Sequence, residues 1–174
     1  MGKKEQGYID ESKNRDLIMQ TAPEIVSEHS VEVLEFRELR KKSPMQEILS
    51  DLVKDFGIVY VTSITRDGCS GCETQKPLFK ELAGRVTVEH SSSVYFRNIH
   101  VHSSEDDKQE SWESKRVFHH AAYPTYMIHV RSHAGPLEVF RAIYPSMEEL
   151  EKQVRETFEL ADLYKSETGT KIHS

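Results

Sequence analysis

Apolar residues change their period several times along the chain, and each change marks a predicted element. Val31 to Phe36 is short and rich in β-branched and aromatic residues, which predicts a strand. The basic run Arg37 to Lys42 reads as a solvated connection. Ser43-Pro44-Met45-Gln46 then predicts a helix start, with Ser as the cap, Pro at the first position and Gln three residues after the cap. Met45, Ile48, Leu49, Leu52, Val53 and Phe56 recur behind it at helical spacing, and Gly57 predicts the stop. Ile58 to Ile64 is a nearly continuous apolar run, suited to a central strand buried on both faces.

The loop Thr65-Arg66-Asp67-Gly68 leads to a segment from Cys72 to Ala83 with Leu78, Phe79, Leu82 and Ala83 predicted inward and Gly84 as the stop. Pro77 lies inside this helix, where it removes a hydrogen bond and bends the axis at a cost of about 3 kcal/mol. Val86-Thr87-Val88 follows, and Val94 to Val101 predicts a strand. Ser104 to Asp107 predicts a helix start with acids in its first turn, running to about His119 and carrying Trp112, Val117 and Phe118 as core. Tyr123-Pro124-Thr125 is a break. Thr125 to Val130 and Leu137 to Ile143 predict a hairpin across Ser132 to Pro136. Pro145-Ser146-Met147-Glu148-Glu149 is a capping box, and its helix places Met147, Leu150, Val154, Phe158 and Ala161 on one face.

The two ends differ from this middle. Residues 1–30 are polar and weakly periodic, with a short helix predicted from about Ser12 to Gln20 and a fresh start at Thr21-Ala22-Pro23-Glu24. They read as an arm that packs on the domain or frays, with docking of a partner as the alternative. From Lys165 onward the chain reads as a polar, mobile tail. The expected organisation is an extension over 1–30, one domain over 31–164 and a tail over 165–174, with no internal repeat.

Composition narrows the function classes. The chain has 174 residues, long enough for a core without staples, and 30% of them are charged. Its net charge of -6 argues against nucleic acid or an anionic membrane as a partner, since both want a basic face. No apolar run approaches the roughly 20 residues that cross a bilayer, and Met1 to Gln6 has lysines without an apolar segment behind them. The expected location is therefore the cytoplasm. There a lone C-x-x-C pair is more often catalytic or metal-binding than a structural staple.

Cys69 and Cys72 are the only cysteines, and they sit between a buried strand and a helix. As zinc ligands they would need two further groups. His119 and His120 are neighbours and diverge on a helix; His100 and His102 share a strand face and read as surface or half-buried histidines. The expectation is no metal and no cofactor.

The element order and three local features together resemble the thioredoxin-like family. Cys69-Ser70-Gly71-Cys72 opens a helix directly after a buried strand, Pro77 stands five residues after the second cysteine, and Tyr123-Pro124-Thr125 precedes an apolar strand as the family's cis-proline segment does. The likeness covers roughly residues 31–163. It implies an α/β thioredoxin fold, a central mixed sheet flanked by helices, with an N-terminal extension. It also implies a thiol–disulfide oxidoreductase. Cys69 at the helix N-terminus would attack a substrate disulfide, and the more buried Cys72 would resolve the mixed disulfide. Tyr123 and Pro124 would pair with an extended substrate segment, and Gly68 and Gly71 would leave space for it. The implied partners are client proteins or small disulfides and an upstream thiol reductant or reductase. The chain departs from the family in having Gly68 in place of Trp, Ser-Gly in place of Gly-Pro, and Ser63 where a buried carboxylate is usual. Two other readings stay open beside this one: a redox-responsive interaction module without efficient turnover, and metal binding through the cysteines.

Overall fold

A computed structural model of the chain describes residues 31–170; the expectations for residues 1–30 lie outside it. Ten elements follow in order: β1 (Val31–Glu35), α1 (Phe36–Lys42), α2 (Ile48–Leu52), β2 (Val59–Arg66), α3 (Ser70–His90), β3 (Val94–Val101), α4 (Gln109–Phe118), β4 (Thr125–Ser132), β5 (Gly135–Ile143) and α5 (Met147–Thr170). The strands form one mixed sheet in the order β1-β3-β2-β4-β5. β1 and β2 both run parallel to β3, while β4 is antiparallel to β2 and to β5. β2 is central and buried through Ile64, as its unbroken apolar run requires.

The period of two along the strands sends alternate side chains to two separate cores. Val59, Val61, Phe96, Tyr126 and Ile128 pack with Phe79, Leu82 and Val86 of α3 and Leu150 and Val154 of α5. Ile64, Ile99, Val101 and Met127 pack on the other face with Phe36, Ile48 and Phe118. By the same alternation Ser63 and Asn98 fall on the α3 side, beneath the helix that carries the cysteines.

Several elements differ from the expected ones, each for a physical reason. The basic run is not a connection: Phe36 to Lys42 is helical, because Phe36 is buried and Arg37 and Arg40 form ion pairs with Glu110 and Glu113 of α4. The helix expected from Pro44 to Phe56 shrinks to Ile48–Leu52, and Ser43 donates to the Asp51 carboxylate instead of capping. Its apolar positions still turn inward at Ile48 and Val53. α3 does not stop at Gly84. Val86 extends the buried stripe of Phe79, Leu82 and Ala83, and that packing outweighs the roughly 1 kcal/mol cost of a helical glycine. Leu78, expected inward, is 46% exposed because it lies off that stripe.

α4 begins at Gln109, after a turn in which the Asp107 N–H donates to Ser104 Oγ. Its inner face is Ser111, Ser114 and Phe118, so Trp112, expected in the core, is 65% exposed. The capping box holds, with the Glu149 N–H donating to Ser146 Oγ at 3.1 Å. The helix behind it does not give way to a tail at Lys165 but continues to Thr170. Among the described residues no helix is long and apolar enough to cross a membrane.

Candidate functional site

Cys69 is the N-cap of α3, held there by the strand–turn–helix junction. Gly68 precedes it at φ +65°, a conformation that disfavours any side chain, and no atom would oppose a Cβ there. Cys69 and Cys72 are joined as a disulfide with their Cα atoms 5.2 Å apart. The Cys72 N–H donates to Cys69 Sγ at 3.1 Å. A helix N-terminus thus presents an amide to the first sulfur, the setting that favours a thiolate there. Cys69 is 9% exposed and Cys72 is 3% exposed, so the first cysteine is the less buried residue.

The Tyr123–Pro124 peptide is cis. A Cβ added to Gly71 would stand 3.5 Å from Pro124 Cδ and 3.0 Å from a ring carbon of Tyr144. Glycine at position 71 therefore lets the proline loop close on the turn that carries the cysteines. Tyr144 was not anticipated from the sequence. It has φ +49°, its N–H donates to the Pro124 carbonyl at 3.1 Å, and half its surface is exposed. The pattern offered only its position between the end of a strand and Pro145. Pro77 lies inside α3 and is exposed.

The proline loop is pinned from below by polar groups of α4. The Tyr123 hydroxyl lies 3.1 Å from Ser111 Oγ, which turns the tyrosine ring toward α4 and away from the cysteines. His120 Nε2 lies 2.9 Å from Ser114 Oγ, and its Nδ1 lies 3.1 Å from the Ala122 carbonyl. Burial pushes the His120 imidazole down to a pKa of about 4, so it is neutral at pH 7. Thr125 Oγ1 donates to the same Ala122 carbonyl, and Arg141 donates to the carbonyls of Phe118 and His119. The Arg66 guanidinium lies 5.1 Å from the Tyr123 ring centroid.

Behind Cys72 is a cavity of about 80 Å³ whose wall includes Ser63, Thr65, Glu73, Asn98, His100 and Tyr126. That is room for a few waters. Ser63 is buried, accepts from Asn98 Nδ2 at 2.8 Å and donates to the Arg97 carbonyl at 3.4 Å. A hydroxyl and an amide thus occupy the floor where a carboxylate would be expected.

At the open end of β2 and β3, Asp67, His100 and His102 form one cluster. Burial pushes the Asp67 carboxyl upward, but hydrogen bonds from His100, the Ser103 N–H and His102 outweigh it and hold the group below the usual carboxylate range. Neither cysteine belongs to this cluster, so the shared strand face of His100 and His102 serves Asp67 rather than the sulfurs.

The chain matches no protein-family model and no characterised protein in sequence. Its structure is similar to solved thioredoxin folds. The thioredoxin of Trichomonas vaginalis superposes with a TM-score of 0.52 at 7% identity, covering 73% of this chain and 96% of that one. The Trx4 domain of ERdj5 superposes with a TM-score of 0.50 at 13% identity, covering 75% of this chain and 97% of that one. The chain has the thioredoxin fold expected from its resemblance to that group.

Proposed function

We propose that this protein is a thiol–disulfide oxidoreductase with Cys69 as nucleophile and Cys72 as resolving thiol. The observation that carries this reading is the redox pair itself, seated at a helix N-terminus with the cis Tyr123–Pro124 loop closed on Gly71. In the reduced protein the Cys69 thiolate attacks one sulfur of a substrate disulfide. A Cys69–substrate disulfide forms and the other substrate sulfur leaves as a thiolate. Cys72 Sγ then gives up its proton and attacks Cys69 Sγ. The protein disulfide closes, the second substrate thiolate leaves, and the substrate has gained two electrons. A thiol reductant or reductase of the cell restores the dithiol, which a reducing compartment such as the cytosol would maintain.

The half-buried Tyr123, just before Pro124, would offer its backbone to an extended client segment, paired without side-chain specificity. Gly68 leaves open space on the approach to Cys69, and Tyr144 forms the opposite wall at Gly71. The Cys72 proton leaves through the cavity behind it, whose wall carries Glu73 and His100 as candidate acceptors but sets only the hydroxyl of Ser63 and the amide of Asn98 in place of a buried carboxylate. That feature favours a second reading, a redox-responsive binding module in which resolution is slow.

Two measurements separate these readings. Reduction of insulin by dithiothreitol should be accelerated by the wild-type chain and not by Cys69→Ser. Cys72→Ser should retain clients as mixed disulfides on Cys69. Wild-type turnover no faster than that of Cys69→Ser would overturn the enzyme. Trapping without turnover would select the binding module.

A further inference from the structure

Asp67 Oδ1 lies 2.8 Å from His100 Nε2, and Asp67 Oδ2 lies 3.1 Å from His102 Nδ1. One ligand atom from each residue falls within 4.8 Å of the others, and the two imidazole rings stand at 87°. An ion bound at about 2.0–2.2 Å holds its ligand atoms about 3–3.5 Å apart, so this cluster needs little movement to close on one.

The far side of each ring is also anchored. His102 Nε2 lies 2.6 Å from Glu35 Oε2, and His100 Nδ1 lies 3.4 Å from Thr65 Oγ1. His102 is thus gripped between two carboxylates. Glu35 and Asp67 hold the His102 ring from opposite nitrogens, which fixes its plane and leaves Nδ1 on the side of Asp67 and His100. A carboxylate behind a histidine is also the usual device that fixes the tautomer of a metal ligand.

We propose that Asp67, His100 and His102 bind a divalent cation of the zinc class, with Glu35 and Thr65 orienting the two imidazoles. Two nitrogens and one carboxylate oxygen are borderline donors that suit zinc over calcium or magnesium. The three groups are partly exposed, so an ion can enter and water completes its shell. Asp67 stands two residues before Cys69, and His100 also lines the cavity behind Cys72. The ion would therefore tie the loop that delivers the first cysteine to the end of β3. This site does not depend on the oxidoreductase reading.

The test is calorimetric titration of zinc chloride into the full, chelator-treated chain with its disulfide closed, so that no thiolate can bind. One zinc per chain is expected. His100→Ala and His102→Ala should each weaken binding at least a hundredfold, and Asp67→Asn, which keeps size and shape, should do the same. Glu35→Gln should leave the stoichiometry at one and weaken binding about tenfold, as loss of an orienting partner does. Zinc should raise the melting temperature of the wild type and not that of His102→Ala. Absence of binding in the wild type, or one bound zinc whose affinity is the same in His100→Ala, His102→Ala and Asp67→Asn, would overturn the site.

Discussion

The two faces of the sheet are built differently, and the candidate site takes one part from each. On one face, α3 and α5 are long helices laid on a continuous apolar core of Val59, Val61, Phe79, Leu82, Val86, Tyr126, Ile128, Leu150 and Val154. On the other, α1, α2 and α4 are short, and much of their attachment is polar: Ser111 to Tyr123, Ser114 to His120, and Arg131 to the Val53 carbonyl. The first face supplies a firm platform for the cysteines. The second holds the proline loop by individual hydrogen bonds. Apolar packing fixes where a helix lies, while a directed hydrogen bond fixes how a loop turns, and a dithiol facing a cis proline needs both.

The comparison can be broken most forcefully at Leu82. It is fully buried between α3 and the sheet, and Leu82→Ala should cost about 2–5 kcal/mol, read as a lower urea midpoint with an unchanged slope. A loss below about 1 kcal/mol would mean that the α3 face is not the platform described. On the polar face, Ser114→Ala leaves the Nε2 of buried His120 without its partner and should cost about 1–3 kcal/mol. It should also lower client trapping by Cys72→Ser, because the loop to Pro124 loses an anchor. Trapping unchanged in the double variant would separate that anchor from the site.

The same histidine gives the polar face a pH signature. The unfolded chain takes up a proton on His120 near pH 6.5, whereas the folded chain resists until about pH 4. In that window the unfolded state binds more protons, so stability rises with pH. The contribution is complete above pH 6.5, falls as the pH is lowered through the window and levels off below about 4. Glu138 acts lower down. Burial pushes its carboxyl upward, but His129 and Arg141 hold it at about 2, so its contribution is lost only between about pH 4.5 and 2. His120→Asn should therefore flatten the stability profile between pH 6.5 and 5 while leaving the steeper acid limb in place. An unchanged slope in that interval would show that His120 is not held neutral. The smallest effect is expected at Trp112, which is exposed on the outer side of α4; Trp112→Ala should change stability by no more than about 0.5 kcal/mol.

The apolar face was legible and the polar face was not, for the same reason. Periodicity reports which positions avoid water, so it located β2, the hairpin and the inward stripe of α5. It misplaced Trp112, because α4 turns two serines toward the loop and leaves its largest apolar side chain outside. It read Arg37 to Lys42 as a connection because the acids that pair with that run, Glu110 and Glu113, lie some 70 residues along the chain. At the site, Cys69, Cys72, Gly71 and Pro124 could be picked out by residue type, since each has a restricted chemistry or backbone. Tyr144 could not, since a tyrosine after a strand carries no signal until its ring is found over Gly71.

The sequence by itself determined the order of the five strands and of every helix but α1, the cysteine pair at the start of a helix and the proline before β4, because these depend on neighbours a few residues apart. Tertiary structure alone decided which polar groups meet. The parallel pairing of β3 with both β1 and β2 brings Glu35, Thr65 and Asp67 to His100 and His102. The same pairing sets Asn98 against Ser63 beneath Cys72. Each of these contacts spans more than 30 residues. A pattern of local hydropathy carries no information about strand register, and it is register that selects these partners.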